Sequence, residues 1–238
     1  MTDDEIKALI LSVLSRDLHL DLFDAVSARA RQAHELIRDN TDLKGREARG
    51  LEGQARFRLM EKGFQDVCEK HGGFRLEGDL IPGNELRTFQ PFMRFGGQGA
   101  GVILGLASMP APRELPLKNR SRSAGVTLNY NLAPRLNLEG DGTVAQPGDV
   151  FVLLLCARDP LRAGHVEEVA IGVIDSKYKS FLAYEPIQVF LAGYAPPTPP
   201  EPPSDGTGAK LVKLKAERKP YRAPEQPDSD EDADGQAK

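Results

Sequence analysis

The hydrophobic pattern of this chain changes period once, near Gly73, and that change limits the class of fold it can adopt. Before it, apolar residues recur at helical spacing. Ile6, Leu9, Ile10, Val13 and Leu14 form one stripe, and Leu22, Phe23, Val26, Ala30, Ala33 and Ile37 form a second. Thr2-Asp-Asp-Glu5 has the spacing of a capping box, in which the threonine hydroxyl accepts from the backbone three residues on and the glutamate reaches back. The turn-rich stretch from Asp39 to Gly45 breaks the helix. A further helix is expected over 47–70, with Phe57, Met60, Phe64, Val67 and Cys68 on its buried face. Glu52 with Arg56, and Asp66 with Lys70, are acid-before-base pairs expected on its wet face. His71-Gly72-Gly73 supplies the stop.

After Gly73 the chain reads as short strands separated by Gly, Pro, Asn and Asp clusters. Strands are expected at 74–78, 88–95, 102–106, 125–130, 150–157, 166–174, 180–184 and 189–191. Val150-Phe-Val-Leu-Leu-Leu-Cys156 is apolar at every position, the pattern of a central strand covered on both faces. The connections read as too short for crossover helices, so the sheet should be largely antiparallel. Helices grouped before strands predict an α+β fold, with N-terminal helices packed on that sheet.

The expected organisation is a helical region, 1–73, a β-rich region, 74–194, that forms one domain with it, and a tail, 195–238. The tail opens with Ala195-Pro-Pro-Thr-Pro-Pro-Glu-Pro-Pro203, continues through a basic piece and ends in Asp228-Ser-Asp-Glu-Asp-Ala-Asp234. That composition cannot build a core and predicts a disordered segment.

Apolar residues make up 40% and charged residues 28% of the 238 positions, with a net charge of −4. These are the proportions of a soluble globular protein rather than one coated in basic residues. The acidic start, Met-Thr-Asp-Asp-Glu, lacks the basic region and cleavage site of a signal peptide. No apolar run nears the roughly 18 residues of a membrane span. A cytoplasmic location is expected, with Cys68 and Cys156 as reduced, buried thiols. His19, His34, His71 and His165 show no metal-ligand spacing. Gly96-Gly-Gln-Gly99-Ala-Gly101 lacks the helix and the acidic partner of a dinucleotide fingerprint and reads as a connection between strands.

The segment closest to chemistry is Val169-Ala-Ile-Gly-Val-Ile-Asp175-Ser176-Lys177. If the strand ran straight through, Asp175 and Lys177 would share a face with Val169, Ile171 and Val173. An acid and a lysine at a strand end resemble the PD-(D/E)xK nuclease family. The resemblance implies a second acid from a neighbouring strand, Asp149 or Asp159, and a helical glutamate, Glu52. It also implies a divalent metal such as Mg²⁺ held by Asp149 and Asp175, with Lys177 positioning or activating the attacking water. The acid here is Asp where Glu is commoner, and several strands intervene between Glu52 and the others. The other reading is a hairpin turn over 175–180, with Asp175 starting it and Lys177 and Lys179 in solvent. The flanking sequence favours the turn.

Lys118-Asn-Arg120-Ser-Arg122 is a short basic loop able to meet phosphates. Three functions follow. The first, and the expected one, is a non-catalytic interaction or accessory protein that docks a protein partner, with the tail as an arm and no cofactor. The second is the metal-dependent nuclease. The third is a nucleic-acid-binding accessory protein using Lys118, Arg120 and Arg122.

Overall fold

A computed structural model describes residues 1–76, 90–97, 101–132 and 148–194, all within a compact unit that runs from Met1 to Pro196. The tail expected over 195–238, residues 77–89 with parts of two expected strands, and residues 98–100 of the glycine-rich connection lie outside the described residues.

Three helices open the chain: α1 (Asp3–Val13), α2 (Arg16–Asn40) and α3 (Gly45–Lys70). The capping box at α1 forms as its spacing predicts. The Thr2 N–H donates to Glu5 Oε2 at 2.7 Å, and the Glu5 N–H to Thr2 Oγ1 at 3.3 Å. Ser15 separates the first two helices, its side chain accepting from the Leu18 N–H. Gly72 ends α3 with a φ of 81°, and the Gly73 N–H closes the last turn on the Cys68 carbonyl at 2.8 Å.

The strands are β1 (Phe74–Arg75), β2 (Phe92–Phe95), β3 (Val102–Met109), β4 (Val150–Arg158), β5 (Val166–Ile174) and β6 (Phe181–Pro186). They form one sheet in chain order. Every neighbouring pair is antiparallel except β3 and β4, which run parallel from Val102 opposite Val150 to Met109 opposite Ala157. The fold is α+β. The parallel pair is possible because the connection after β3 carries a helix, α4 (Arg120–Val126), and a 3₁₀ turn (Thr127–Asn131), where a strand was expected. The Asn119 side chain caps α4 by accepting from the Arg122 N–H at 2.8 Å. Arg122, Val126 and Asn129 are buried at helical spacing. The expected strand at 189–191 is likewise helical, within α5 (Ile187–Leu191), which buries Ile187 and Phe190.

Both faces of the sheet are covered, and β4 shows it by alternation. Val150, Val152, Leu154 and Cys156 join the core beneath α1, α2, α3 and α5. Phe151, Leu153, Leu155 and Ala157 join the core beneath α4. The two cysteines are buried free thiols, and burial pushes the Cys156 thiol up to about 12. Among the described residues no helix is long and apolar enough to cross a membrane.

His19 is fully buried near the start of α2. Its Nδ1 lies 2.9 Å from the Ser15 carbonyl and 3.0 Å from the Tyr194 hydroxyl, which itself donates to the Leu14 carbonyl at 2.7 Å. The phenol proton is committed to Leu14, so Nδ1 is the donor of this group, and Nε2 stays buried with no hydrogen-bond partner among the described residues. Burial lowers the pKa below the ordinary 6.5, against the Ser15 carbonyl, which raises it. The unfolded chain therefore takes up a proton that the folded chain refuses. The stability tied to neutral His19 is complete above about pH 6.5 and is lost as pH falls through that value toward the lower folded pKa. Melting curves of wild type and His19→Gln between pH 5 and 7.5 should show the steeper acid loss in the wild type. Parallel curves would remove His19 from the acid transition.

Candidate functional site

At Asp175 the chain turns. The Asp175 N–H donates to the Ser180 carbonyl at 3.0 Å and the Tyr178 N–H to the Asp175 carbonyl at 2.9 Å. The Asp175 carboxylate accepts from the N–H groups of Lys177, Lys179 and Ser180 at 2.6, 3.2 and 2.8 Å, and from Ser180 Oγ at 2.9 Å. Burial raises the pKa of this carboxyl, but the bonds from Ser180, Lys177 and Lys179 outweigh it, so the net shift is downward. An aspartate can do this because its short side chain reaches the N–H groups two to five residues ahead.

The other acids the nuclease resemblance draws on are committed elsewhere. Asp149 takes a bidentate pair from Arg94, Nε to Oδ2 at 2.7 Å and Nη2 to Oδ1 at 2.9 Å, and also the Gly101 N–H at 2.8 Å. Asp159 accepts from the N–H groups of Leu161 and Arg162 and from Arg162 Nε at 2.7 Å, closing the β4–β5 hairpin. Glu52 is not on a wet face. It is 7% exposed, 3.0 Å from His34 Nδ1 on α2 and 3.7 Å from Arg158 at the end of β4. Asp149 and Glu52 therefore sit at opposite ends of β4, a strand of nine residues. At about 3.3 Å per residue that is roughly 30 Å. Asp175 and Asp149 share one end of the sheet, but their oxygens serve different partners. Among the described residues no three His, Cys, Asp or Glu side chains are grouped to hold a metal ion. The residues named for Mg²⁺ do not fit it as one donor set.

The basic loop divides. Lys118 and Arg120 are exposed, with Lys118 Nζ 5.8 Å from the Tyr178 ring centroid. Arg122 is 7% exposed, and its guanidinium donates inward to the Leu117 carbonyl.

Arg120 instead forms part of an open groove of about 890 Å³ between the N-terminal half of α3 and the start of α4. One wall is α3, with Arg49, Leu51, Phe57, Arg58 and Glu61. The other is Gln90 with Asn119, Arg120 and Ser121. Leu51 is 39% exposed, an apolar side chain left uncovered. Arg58 Nη1 donates to Glu61 Oε2 at 3.0 Å, and burial raises the pKa of the Glu61 carboxyl against that arginine. Arg49 and Arg120 are exposed and pair with no carboxylate among the described residues. Asn119 Nδ2 donates to Gln90 Oε1 at 3.2 Å, and Gln90 Nε2 to the Leu106 carbonyl at 2.8 Å, which ties the second wall to β3.

Sequence reasoning missed the α3 wall. The only signal for it was negative: Arg49 and Leu51 lie off the stripe that periodicity assigns to the core, and that stripe claimed Phe57 for burial. The chain matches no protein-family model, no curated protein and no solved structure.

Proposed function

We propose that the protein is a non-catalytic interaction protein that docks an acidic, amphipathic segment of a partner protein in the groove between α3 and α4. The observation that carries this reading is the chemistry of the groove. Arg49, Arg58 and Arg120 face it against one carboxylate, Glu61, among its described lining residues, and Leu51 and Phe57 lie between them. An apolar strip edged by cations complements a segment with apolar anchors on one side and carboxylates beside them. A phosphate backbone would use the cations and leave the apolar strip idle. The tail from residue 195 serves in this reading as a second docking arm, on the strength of its composition alone. Two buried thiols without a disulfide support a reducing, cytoplasmic setting.

Fluorescence anisotropy tests this with three labelled probes: a peptide alternating Glu/Asp with Leu at helical spacing, oligoglutamate, and single-stranded DNA. The amphipathic acidic peptide should bind most tightly, and the double variant Arg49→Glu, Arg120→Glu should weaken it about tenfold or more. Deletion of 195–238 should leave that affinity intact. Tightest binding of DNA with a steep salt dependence would replace this reading with the nucleic-acid one. No binding of any probe would end both.

A further inference from the structure

The Asp175 turn does not line the groove, yet hydrogen bonds run from its hairpin to the segment that leads into the groove's second wall. The turn places Tyr178 in the left-handed region, φ 58°, a conformation costly for a bulky residue and held here by the carboxylate's four bonds. From there the Tyr178 hydroxyl donates to the Pro116 carbonyl at 3.1 Å, and the ring lies under Lys118. A second tyrosine of the same hairpin, Tyr184, accepts the Arg113 N–H at 3.1 Å while its own proton goes to the Glu168 carboxylate. The connection from β3 to α4 is thus pinned at two points, Arg113 and Pro116, by the β5–β6 hairpin, shortly before Asn119 caps α4 and Arg120 enters the groove.

We propose that the Asp175 turn, acting through Tyr178, is the positioning device for the α4 wall of the groove; its part in binding rests on the docking reading above. Tyr178 is a positioning residue that touches no ligand. Its hydroxyl fixes where Lys118 to Ser121 stand relative to α3, and so sets the groove's width and the place of Arg120.

Hydrogen–deuterium exchange on the full chain, compared among wild type, Tyr178→Phe, Asp175→Asn and the exposed control Lys179→Ala, reads the positioning without any ligand. In Tyr178→Phe, which removes one oxygen and keeps the ring, amides of 113–123 should exchange about fivefold faster, the loss of one neutral hydrogen bond. Those of 45–61 should not change. Asp175→Asn, which keeps one acceptor oxygen for the turn, should show the same direction. Lys179→Ala should match wild type. The amphipathic acidic peptide should then bind Tyr178→Phe about threefold to tenfold more weakly than wild type. Unchanged exchange at 113–123 in both turn variants overturns the positioning role, whether or not the peptide binds wild type. Faster exchange with unchanged peptide affinity overturns its role in the groove. A wild type that binds no peptide but shows faster exchange in the variants removes the docking reading and keeps the pinned loop.

Discussion

Asn129→Ala should lower the free energy of unfolding by about 4 kcal/mol, the largest loss expected from any polar substitution in the core. Asn129 is fully buried in the 3₁₀ turn after α4. Its Oδ1 accepts from the Phe151 N–H at 2.9 Å, and its Nδ2 donates to the carbonyls of Phe151 and Ile174, each at 2.9 Å. Regular pairing of β4 with β5 covers Leu153 opposite Gly172 through Arg158 opposite Val166. Toward Phe151 and Ile174 the strands are joined instead by this one carboxamide, which supplies both a donor and an acceptor. Alanine leaves three buried backbone groups unpaired, each costing about 1–3 kcal/mol. Asn129→Asp should fare no better, since a carboxylate facing two carbonyls repels both. Urea denaturation with an unchanged m-value measures the loss. A change below about 1 kcal/mol would mean that water replaces the amide, and Asn129 would no longer count as the join between the strands.

Asp149→Ala should cost about 3 kcal/mol, the range for removing one partner of a largely buried ion pair. The side chains of Arg94 and Asp149 are 17% and 11% exposed, so solvent screens them weakly. The substitution takes the bidentate carboxylate from Arg94, which keeps its bonds to the Gly96 and Gly97 carbonyls, and leaves the Gly101 N–H without its acceptor. Asp149→Asn should recover part of the loss by keeping an oxygen for Gly101. Thermal melts at low and high salt measure both. If Asp149→Ala melts like wild type, the carboxylate is not structural and its role must be sought in ligand binding. The comparison matters because Asp149 is one of the acids the nuclease resemblance would assign to a metal. A loss of activity in an Asp149 variant means little until its stability is known.

Much of the architecture was legible because it follows from local patterns. The uniform apolarity of Val150–Cys156 led to β4 with both faces covered, and the run 166–174 became β5 with the same bounds. Thr2 and Glu5 announced the start of α1. What was not legible depends on packing between distant segments. Gly125-Val-Thr-Leu-Asn-Tyr reads as a strand by alternation and β-branching. It is helical from the Asn119 cap of α4 onward, and the Phe151 ring fills the space beside Gly125, where a Cβ would lie 2.6 Å from ring carbons. Glu52 reads as half of a surface pair with Arg56, and only the fold brings His34 and Arg158 to it. The basic loop was visible as composition, but which of its cations face outward was decided by the Leu117 carbonyl, which draws Arg122 inside. The groove was invisible for a related reason: periodicity reports what a helix buries and is silent about what two helices leave between them.

The parallel register of β3 and β4 also imposes an order of assembly. The meander β4–β5–β6 is made of contacts near in sequence and can organise by itself through the β4–β5 loop and the Asp175 turn. The strand β3 can join only after the whole stretch from 110 to 149 has been drawn into a loop, and the entropy of closing that loop is spent before any β3–β4 contact repays it. Until then β4 presents a long, wholly apolar edge with no strand beside it. The half-folded chain is therefore the species most prone to associate with itself, and the hydrophobic strand that anchors the finished sheet is the hazard on the way to it.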